Sequence, residues 1–425
     1  MSSSSSKSGA GYQVALTSLL SLNFGFVLFD RNAAGFLMPF IQPELGLSGF
    51  QVGLLSSGLS LTWAIAAFGI GVVSDRTGSR KGLLVLATLA FSLCSFGSGL
   101  AAGFVILLLT RMLMGFAEGG IMPISQALLV ANVSEKNRGL AMGVSQGFGS
   151  SLLGSFVAPI VLVSFGEAFG WRTAFFLAAI PGLIIALLMA LVIRKPATET
   201  EQKTAAPQPD SEPAPAPAAV TFASYREALQ VRNIKLCSLM SILLVSYLVV
   251  TWSFMPLFLN QTRGFEEITT GWLMSTLGIS ATIASFVVPW LSDRIGRCAP
   301  MIALPVLAII VPLSAIYFEG PTWMLGGIFM LGWLVTGTMP LFMSAVPAES
   351  VDRRLIAGAL GVCMGAGELI GGVFSAAIAG IAADWISPRA PLWIMTGLAL
   401  AASVVAIGIQ ETAPRVLARR QQLEN

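Results

Sequence analysis

GVVSDRTGSRK, residues 71–81, returns as VPWLSDRIGRC at residues 288–298, with Asp75 and Asp293 218 positions apart. Each copy leaves an apolar run through an Asp–Arg pair and a glycine into a basic end. Two further pairs keep nearly the same offset. NRGLAMG (137–143) parallels RRLIAGALG (353–361), with Ala141 and Ala357 216 apart, and Pro39 and Pro256 are 217 apart. Offsets this constant argue for a duplicated unit.

The composition says what the unit is made of. Of 425 residues, 55% are hydrophobic and 11% charged, and mean hydropathy is +0.81. A soluble domain carries about 25% charged residues, so the chain reads as a polytopic membrane protein. Twelve apolar runs reach the roughly 20 residues a spanning helix needs: 13–41, 50–73, 82–101, 104–131, 139–163, 173–193, 236–260, 270–291, 300–318, 322–346, 356–382 and 390–410. The fold expected is all-α, with twelve transmembrane helices in two pseudo-symmetric six-helix bundles. They divide as residues 1–193, a cytoplasmic linker over 194–234, and a second bundle with a cytoplasmic tail over 235–425. RKPATETEQKTAAPQPDSEPAPAPAAV (194–220) is too rich in Pro, Ala and Glu to bury a core. TFASYREALQVRNIK, which follows, predicts a short amphipathic helix at the membrane surface.

Loop charges orient this layout. With both termini cytoplasmic, 19 of the 24 Lys and Arg fall on inside segments, 3 outside (Arg172, Arg263, Arg389) and 2 within spans (Arg31, Arg111). Such a bias follows the positive-inside rule and predicts a multi-pass protein of the inner (plasma) membrane. A net charge of +3 gives no support for a nucleic-acid partner. The chain has no histidine, and its four cysteines (Cys94, Cys237, Cys298, Cys363) show no metal-ligand or CxxC spacing. No catalytic residue, metal or cofactor is expected, and an enzyme is the least favoured class.

The opening stretch also resembles the loop-two motif of the major facilitator superfamily, with Gly71, Asp75, Arg76, Gly78 and Arg80 matching and Lys81 as a further base. The likeness covers essentially the whole chain and implies transport by alternating access. An Asp at a helix end beside a basic turn can cap, pair and lock helices. With Asp293, Arg294 and Arg297 in the second copy, these residues are expected to gate rather than to bind substrate.

Five ionisable residues fall well inside spans: Asp30 and Arg31 in FVLFDRNAAGFLMPF (26–40), Arg111 and Glu118 in RMLMGFAEGG (111–120), and Glu368 in GAGELIGG (365–372). An Asp or Arg at a helix centre costs roughly 2.5–3.5 kcal/mol. These side chains therefore face one another or a wet cavity, which marks them as functional candidates. Arg111 and Glu118, seven apart, share a helix face about two turns long, and adjacent Asp30 and Arg31 point about 100° apart. One of that pair can face the span-four charges while the other faces the cavity. A buried network that only fixes helix packing is the competing reading.

FDR in span one with RMLMGFAEGGIMP in span four resembles the anion:cation symporter family, whose members take up organic anions with protons. The resemblance implies that Asp30 and Glu118 take the coupling protons, Arg31 grips the substrate carboxylate and Arg111 modulates the acids. The chemistry is sound in itself: an arginine offers a fork that fits a carboxylate, and a buried acid's proton affinity responds to what else occupies the site. Glu368 has no counterpart in the first half; it joins the charge network as a third proton site, a cation binder, or an acid satisfied by hydroxyls.

Trp63 and Ala67 stand where sugar-acid relatives tend to carry Tyr and Gln. Tyr247, Trp252 and Phe254 in span seven and Trp333 in span ten suggest an apolar, aromatic cavity. Trp63, Tyr247 and Trp252 are therefore expected to contact substrate with Arg31. A small organic anion, an aromatic or otherwise apolar monocarboxylate ahead of a sugar acid, is the expected cargo, with protons as coupling ion, a bilayer as surroundings and a monomer as the working unit. Proton-driven efflux of amphiphiles is an alternative; GFGSSLLGSFVAPIV, with Gly154 and Pro159 five apart, fits the exporters' Gly-x-x-x-Gly-Pro pattern poorly. A membrane sensor that does not transport is a further one.

Overall fold

A computed structural model describes residues 10–77, 79–134, 141–145, 149–193 and 222–424. Twelve helices long and apolar enough to cross a membrane occupy the expected positions: α1 (Gly11–Leu45), α2 (Gly49–Ala67), α3 (Arg80–Gly99), α4 (Phe104–Asn132), α5 (Ser150–Phe169), α6 (Trp171–Val192), α7 (Arg232–Thr262), α8 (Glu267–Ile295), α9 (Cys298–Tyr317), α10 (Thr322–Glu349), α11 (Ile356–Trp385) and α12 (Ala390–Ile407). Helices satisfy their own backbone groups, which hydrocarbon cannot do. The chain is thus a multi-pass, all-α membrane protein. α5 runs to Phe169 rather than to residue 163. Gly170, at φ +84° and ψ 151°, takes an extended positive-φ conformation open chiefly to glycine and ends it.

The duplication read from the sequence is built into the packing. Thr62 donates to the Met112 carbonyl at 2.6 Å, joining α2 to α4. Ser280 donates to the Met330 carbonyl at 2.6 Å, joining α8 to α10. Donors and acceptors are each 218 residues apart, the offset of Asp75 and Asp293. The glycines beside these bonds repeat too. A Cβ on Gly119 would meet Ala66 and the Trp63 carbonyl, and one on Gly337 would meet the Ala284 carbonyl and Val288. Small residues let the backbones close, as membrane helix contacts require.

The halves meet at one end. Gln261 donates to Gln42 at 2.9 Å, Ser56 and Ser253 share a hydrogen bond of 2.8 Å, and the Gly49 and Phe50 N–H groups donate to Asp384 at 2.6 and 2.8 Å. All four lie away from the face that carries the termini. Asp384 caps α2 from the other half, placing an anion on orphan N–H groups at the positive end of the helix. Removing it, by Asp384→Ala, should weaken this seal by roughly 0.5–1 kcal/mol, the lower range for a cap because the carboxylate is exposed. A cysteine at position 56 should then react about two- to fivefold faster with a maleimide added from that face. An unchanged rate would show that the cap does not hold the seal.

At the other face the predicted amphipathic segment forms a short helix over Phe222–Ala228, and its last residues, from Arg232, already belong to α7. Tyr225 lies against Gly361, and Arg354 pairs with Glu227 at 2.7 Å, so the segment is docked on the second half.

Candidate functional site

Behind the seal the halves enclose a cavity of about 700 Å³, lined by α1, α2, α4, α5, α7, α10 and α11. It continues past Trp63 and Ala67 on α2, and past Met122 and Gln126 on α4, toward the face of the termini.

Asp30 and Arg31 sit on an unbroken stretch of α1, so their side chains diverge. Asp30 turns into the first half and is fully buried. Its Oδ1 accepts from the Ser95 hydroxyl at 2.7 Å, and its Oδ2 has no hydrogen-bond partner among the described residues. Arg31 turns to the cavity, its guanidinium over the Trp63 ring at 5.4 Å and its Nη2 4.0 Å from Glu368 Oε2.

Arg111 and Glu118 lie on α4 and are almost wholly buried. Arg111 donates to the Asp30 carbonyl at 3.3 Å and to the Ser98 hydroxyl at 2.7 Å, and stacks over Phe175 at 5.0 Å. Among the described residues it hydrogen-bonds no carboxylate. Glu118 closes the first segment of α4, which breaks after it and resumes at Ile121. The cause is GGIMP: Pro123 has no N–H for the Gly119 carbonyl, and Gly119 and Gly120 let the chain turn. Neither Glu118 oxygen has a hydrogen-bond partner among the described residues. The charges of Arg31, Asp30 and Arg111 act on it across the gap.

The second half contributes Glu368, on a π-helical segment over Gly367–Gly372. Such wide turns recur at functional sites. Trp252 lines the cavity as expected, edge-on to Phe36 at 5.6 Å. Tyr247 does not reach it. The Tyr247 side chain is fully buried, its hydroxyl donates to the Ala308 carbonyl at 2.9 Å, and its ring lies 5.7 Å from Trp333, also buried. The expected substrate contact at Tyr247 is corrected to a packing role. Polar lining the sequence reading passed over includes Asn32, Ser56, Ser60, Gln126 and Ser253. Ser56, Ser60, Trp63 and Ala67 recur at helical spacing on α2, a signal that could have found them.

The expected gating residues fall in two groups. Gly71, Asp75 and Arg76 are described only as backbone of the helix that carries α2 on to Thr77, and Gly78 lies outside the described residues. Arg80 opens α3, and its neighbour Lys81 donates to the Ile193 carbonyl at 2.5 Å, at the end of α6. In the second copy Arg297 bridges Asp293 at 2.6 Å and Glu349 at 2.9 Å, while Arg294 stacks on Trp290 at 3.8 Å. Glu411, after α12, accepts from the N–H groups of Arg297 and Cys298 at 2.8 and 3.1 Å. Burial opposes the Glu411 charge, but these and two further backbone donors, Ala413 and Thr412, hold its carboxyl below the ordinary range. The cluster ties α8, α10 and the end of α12 within one half.

The family model of the Major Facilitator Superfamily matches residues 20–362 and 236–423. A probable 4-methylmuconolactone transporter of Cupriavidus pinatubonensis is 30% identical over 359 residues, 82% of this chain and 80% of that protein. The hexuronate transporter of Bacillus subtilis is 29% identical over 270 residues, 64% of this chain and 59% of that one. Among solved structures, a bacterial homolog of the human lysosomal transporter Spinster, inward-facing and unoccupied, superposes with a TM-score of 0.72 at 19% identity, over 94% of this chain and 95% of that one.

Proposed function

Because the chain belongs to the major facilitator superfamily, and is a transporter rather than an enzyme, we propose that it carries a small organic carboxylate together with protons. The observation that carries this reading is the split between Asp30 and Arg31. One adjacent charge faces the cavity and the other is buried behind it with Glu118, while Arg111 reaches from that buried set to the cavity's edge. A cargo carboxylate takes the Arg31 fork in two parallel hydrogen bonds. Cargo bound there offsets the Arg31 charge, which would otherwise favour ionised acids around it, and Glu118 takes a proton. Asp30 serves as the companion proton site, and Arg111 sets the field on both.

Alternating access carries this site across the membrane. The arginine- and lysine-rich face holds the termini, so the positive-inside rule makes it cytoplasmic and the cavity inward-open. The direction of travel is import, into the cell across its inner (plasma) membrane, by a monomer. The Asp293, Arg294 and Arg297 cluster, with the 71–80 motif, serves as the gate that re-forms between the halves when this face closes.

The cavity favours an apolar or aromatic cargo. Trp63 and Trp252 offer flat apolar surface, while several polar groups are already engaged. Asn32 donates to the Gly154 carbonyl at 3.1 Å, and Ser56 and Ser253 bond each other. A sugar acid would leave hydroxyls unpaired, which is costly. Ser60 and Gln126, with the hexuronate transporter among the relatives, keep a sugar acid as the second reading.

A thermal-shift screen of the purified protein against apolar monocarboxylates, hexuronates and cationic amphiphiles tests this. A monocarboxylate should raise the melting temperature most, because a ligand bound to the native state stabilises it by mass action. Stabilisation by cationic or neutral amphiphiles alone would replace import of an anion with efflux.

A further inference from the structure

Glu368 stands apart from the other acids of the site. Asp30 and Glu118 are 0% and 1% exposed, whereas the Glu368 side chain is 27% exposed and lines the cavity. Its partner Arg31 comes from the opposite half, at 4.0 Å. A charge-assisted hydrogen bond would bring these atoms to about 2.7–2.9 Å. Among the described residues Arg31 makes no hydrogen bond, so its fork is only loosely paired and unspent as a donor.

The backbone under Glu368 is held in place. A Cβ on Gly371 would meet the Ile242 carbonyl, and one on Gly367 would meet the Ser241 hydroxyl, so the π-helical turn is pressed onto α7. A cargo carboxylate that takes the Arg31 fork therefore binds beside a second negative charge that cannot retreat with its helix. The next aromatic surfaces, Trp63 and Trp252, are uncharged.

We propose that Glu368 is a charge filter: it occupies Arg31 electrostatically in the empty carrier and restricts cargo to one anionic group. This rests on the carboxylate reading above and adds what sets the number of charges. A monoanion sets its one carboxylate in the unspent Arg31 fork beside Glu368 and lays its body on the tryptophans. A dianion brings its second charge against Glu368, and like charges brought together at a binding site cost several kcal/mol. Neutralising Glu368 removes both the competitor and the repulsion.

The test uses three probes with a common body: 3-phenylpropanoate with one carboxylate, phenylsuccinate with two, and phenylalanine with an added ammonium. Affinities are measured by titration calorimetry on the purified protein and on Glu368→Gln, with Glu368→Met as a second neutral replacement. The parent should prefer 3-phenylpropanoate over phenylsuccinate by at least about tenfold. In both variants 3-phenylpropanoate should bind more tightly and the preference should shrink to about threefold or less. An unchanged preference in both variants, or weaker binding of 3-phenylpropanoate, would overturn the filter while leaving the carboxylate reading intact. A parent preference for phenylalanine that both variants lose would overturn it by assigning Glu368 to an ammonium. Binding of no probe by any of the three proteins would contradict the carboxylate reading itself and remove the filter with it.

Discussion

Replacing Arg31 by alanine is expected to lower carboxylate affinity by roughly 30- to 4000-fold. Truncating one member of a desolvated, hydrogen-bonded charge pair costs about 2–5 kcal/mol, and each 1.4 kcal/mol is about tenfold. Arg31 is the guanidinium that faces the cavity from α1, over Trp63. Arg111 also borders the space, but two of its nitrogens are committed to Ser98 and the Asp30 carbonyl. The fold should survive, because Arg31 is one-fifth exposed and, among the described residues, holds only the loose pair with Glu368 and its place over the Trp63 ring. Arg31→Lys should restore little, since an ammonium lacks the planar fork. Binding measured by calorimetry, alongside an unchanged melting temperature without ligand, checks both parts. Parent-like affinity in Arg31→Ala would move the anion site elsewhere.

Glu118→Gln should separate cargo movement from proton movement. Both Glu118 oxygens lack hydrogen-bond partners, so an isosteric amide breaks no bond among the described residues. Exchange of labelled for unlabelled cargo, which needs no net proton transfer, should persist within about threefold of the parent, a change below 1 kcal/mol. Accumulation driven by a pH gradient should collapse. One proton per cargo makes a gradient of one pH unit worth about 1.36 kcal/mol, or about tenfold accumulation, whereas the variant should only equilibrate. Asp30→Asn should behave alike, because its remaining carbonyl oxygen can still accept from Ser95. Pumping at parent levels by both variants would deny these acids the proton.

Much of this was legible beforehand, for reasons that can be stated. The offset of 218 between Asp75 and Asp293 is the offset of the Thr62–Met112 and Ser280–Met330 bonds, because a duplicated chain repeats its packing with its sequence. Asp30 and Arg31 point to different surroundings because neighbours on a helix diverge by about 100°. The same rule explains the error at Tyr247. Tyr247 and Trp252 are five residues apart, about 140° around the helix, so both could not face one cavity. Residue type alone had grouped them.

Other features needed the third dimension. Nothing in GAGELIGG announces that Glu368 meets Arg31, since the approach of α1 to α11 is set by how the halves close. The Asp384 cap on α2 joins residues 334 and 335 positions apart and has no local pattern. The repeat of residues 71–81 at 288–298 was legible as a motif, but the contacts of the second copy depend on how the halves meet at that face. With the terminus-bearing face apart, Arg297 pairs only within its own half among the described residues.

Proteoliposomes loaded with a pH-sensitive dye put coupled movement of cargo and proton to the most direct test. The carboxylate that best stabilises the protein is added outside, with no initial pH gradient. The interior should acidify as cargo enters, and Glu118→Gln should admit cargo by exchange without acidifying it. Net entry of cargo into parent vesicles with no change in interior pH would contradict proton coupling and leave Asp30 and Glu118 as structural charges.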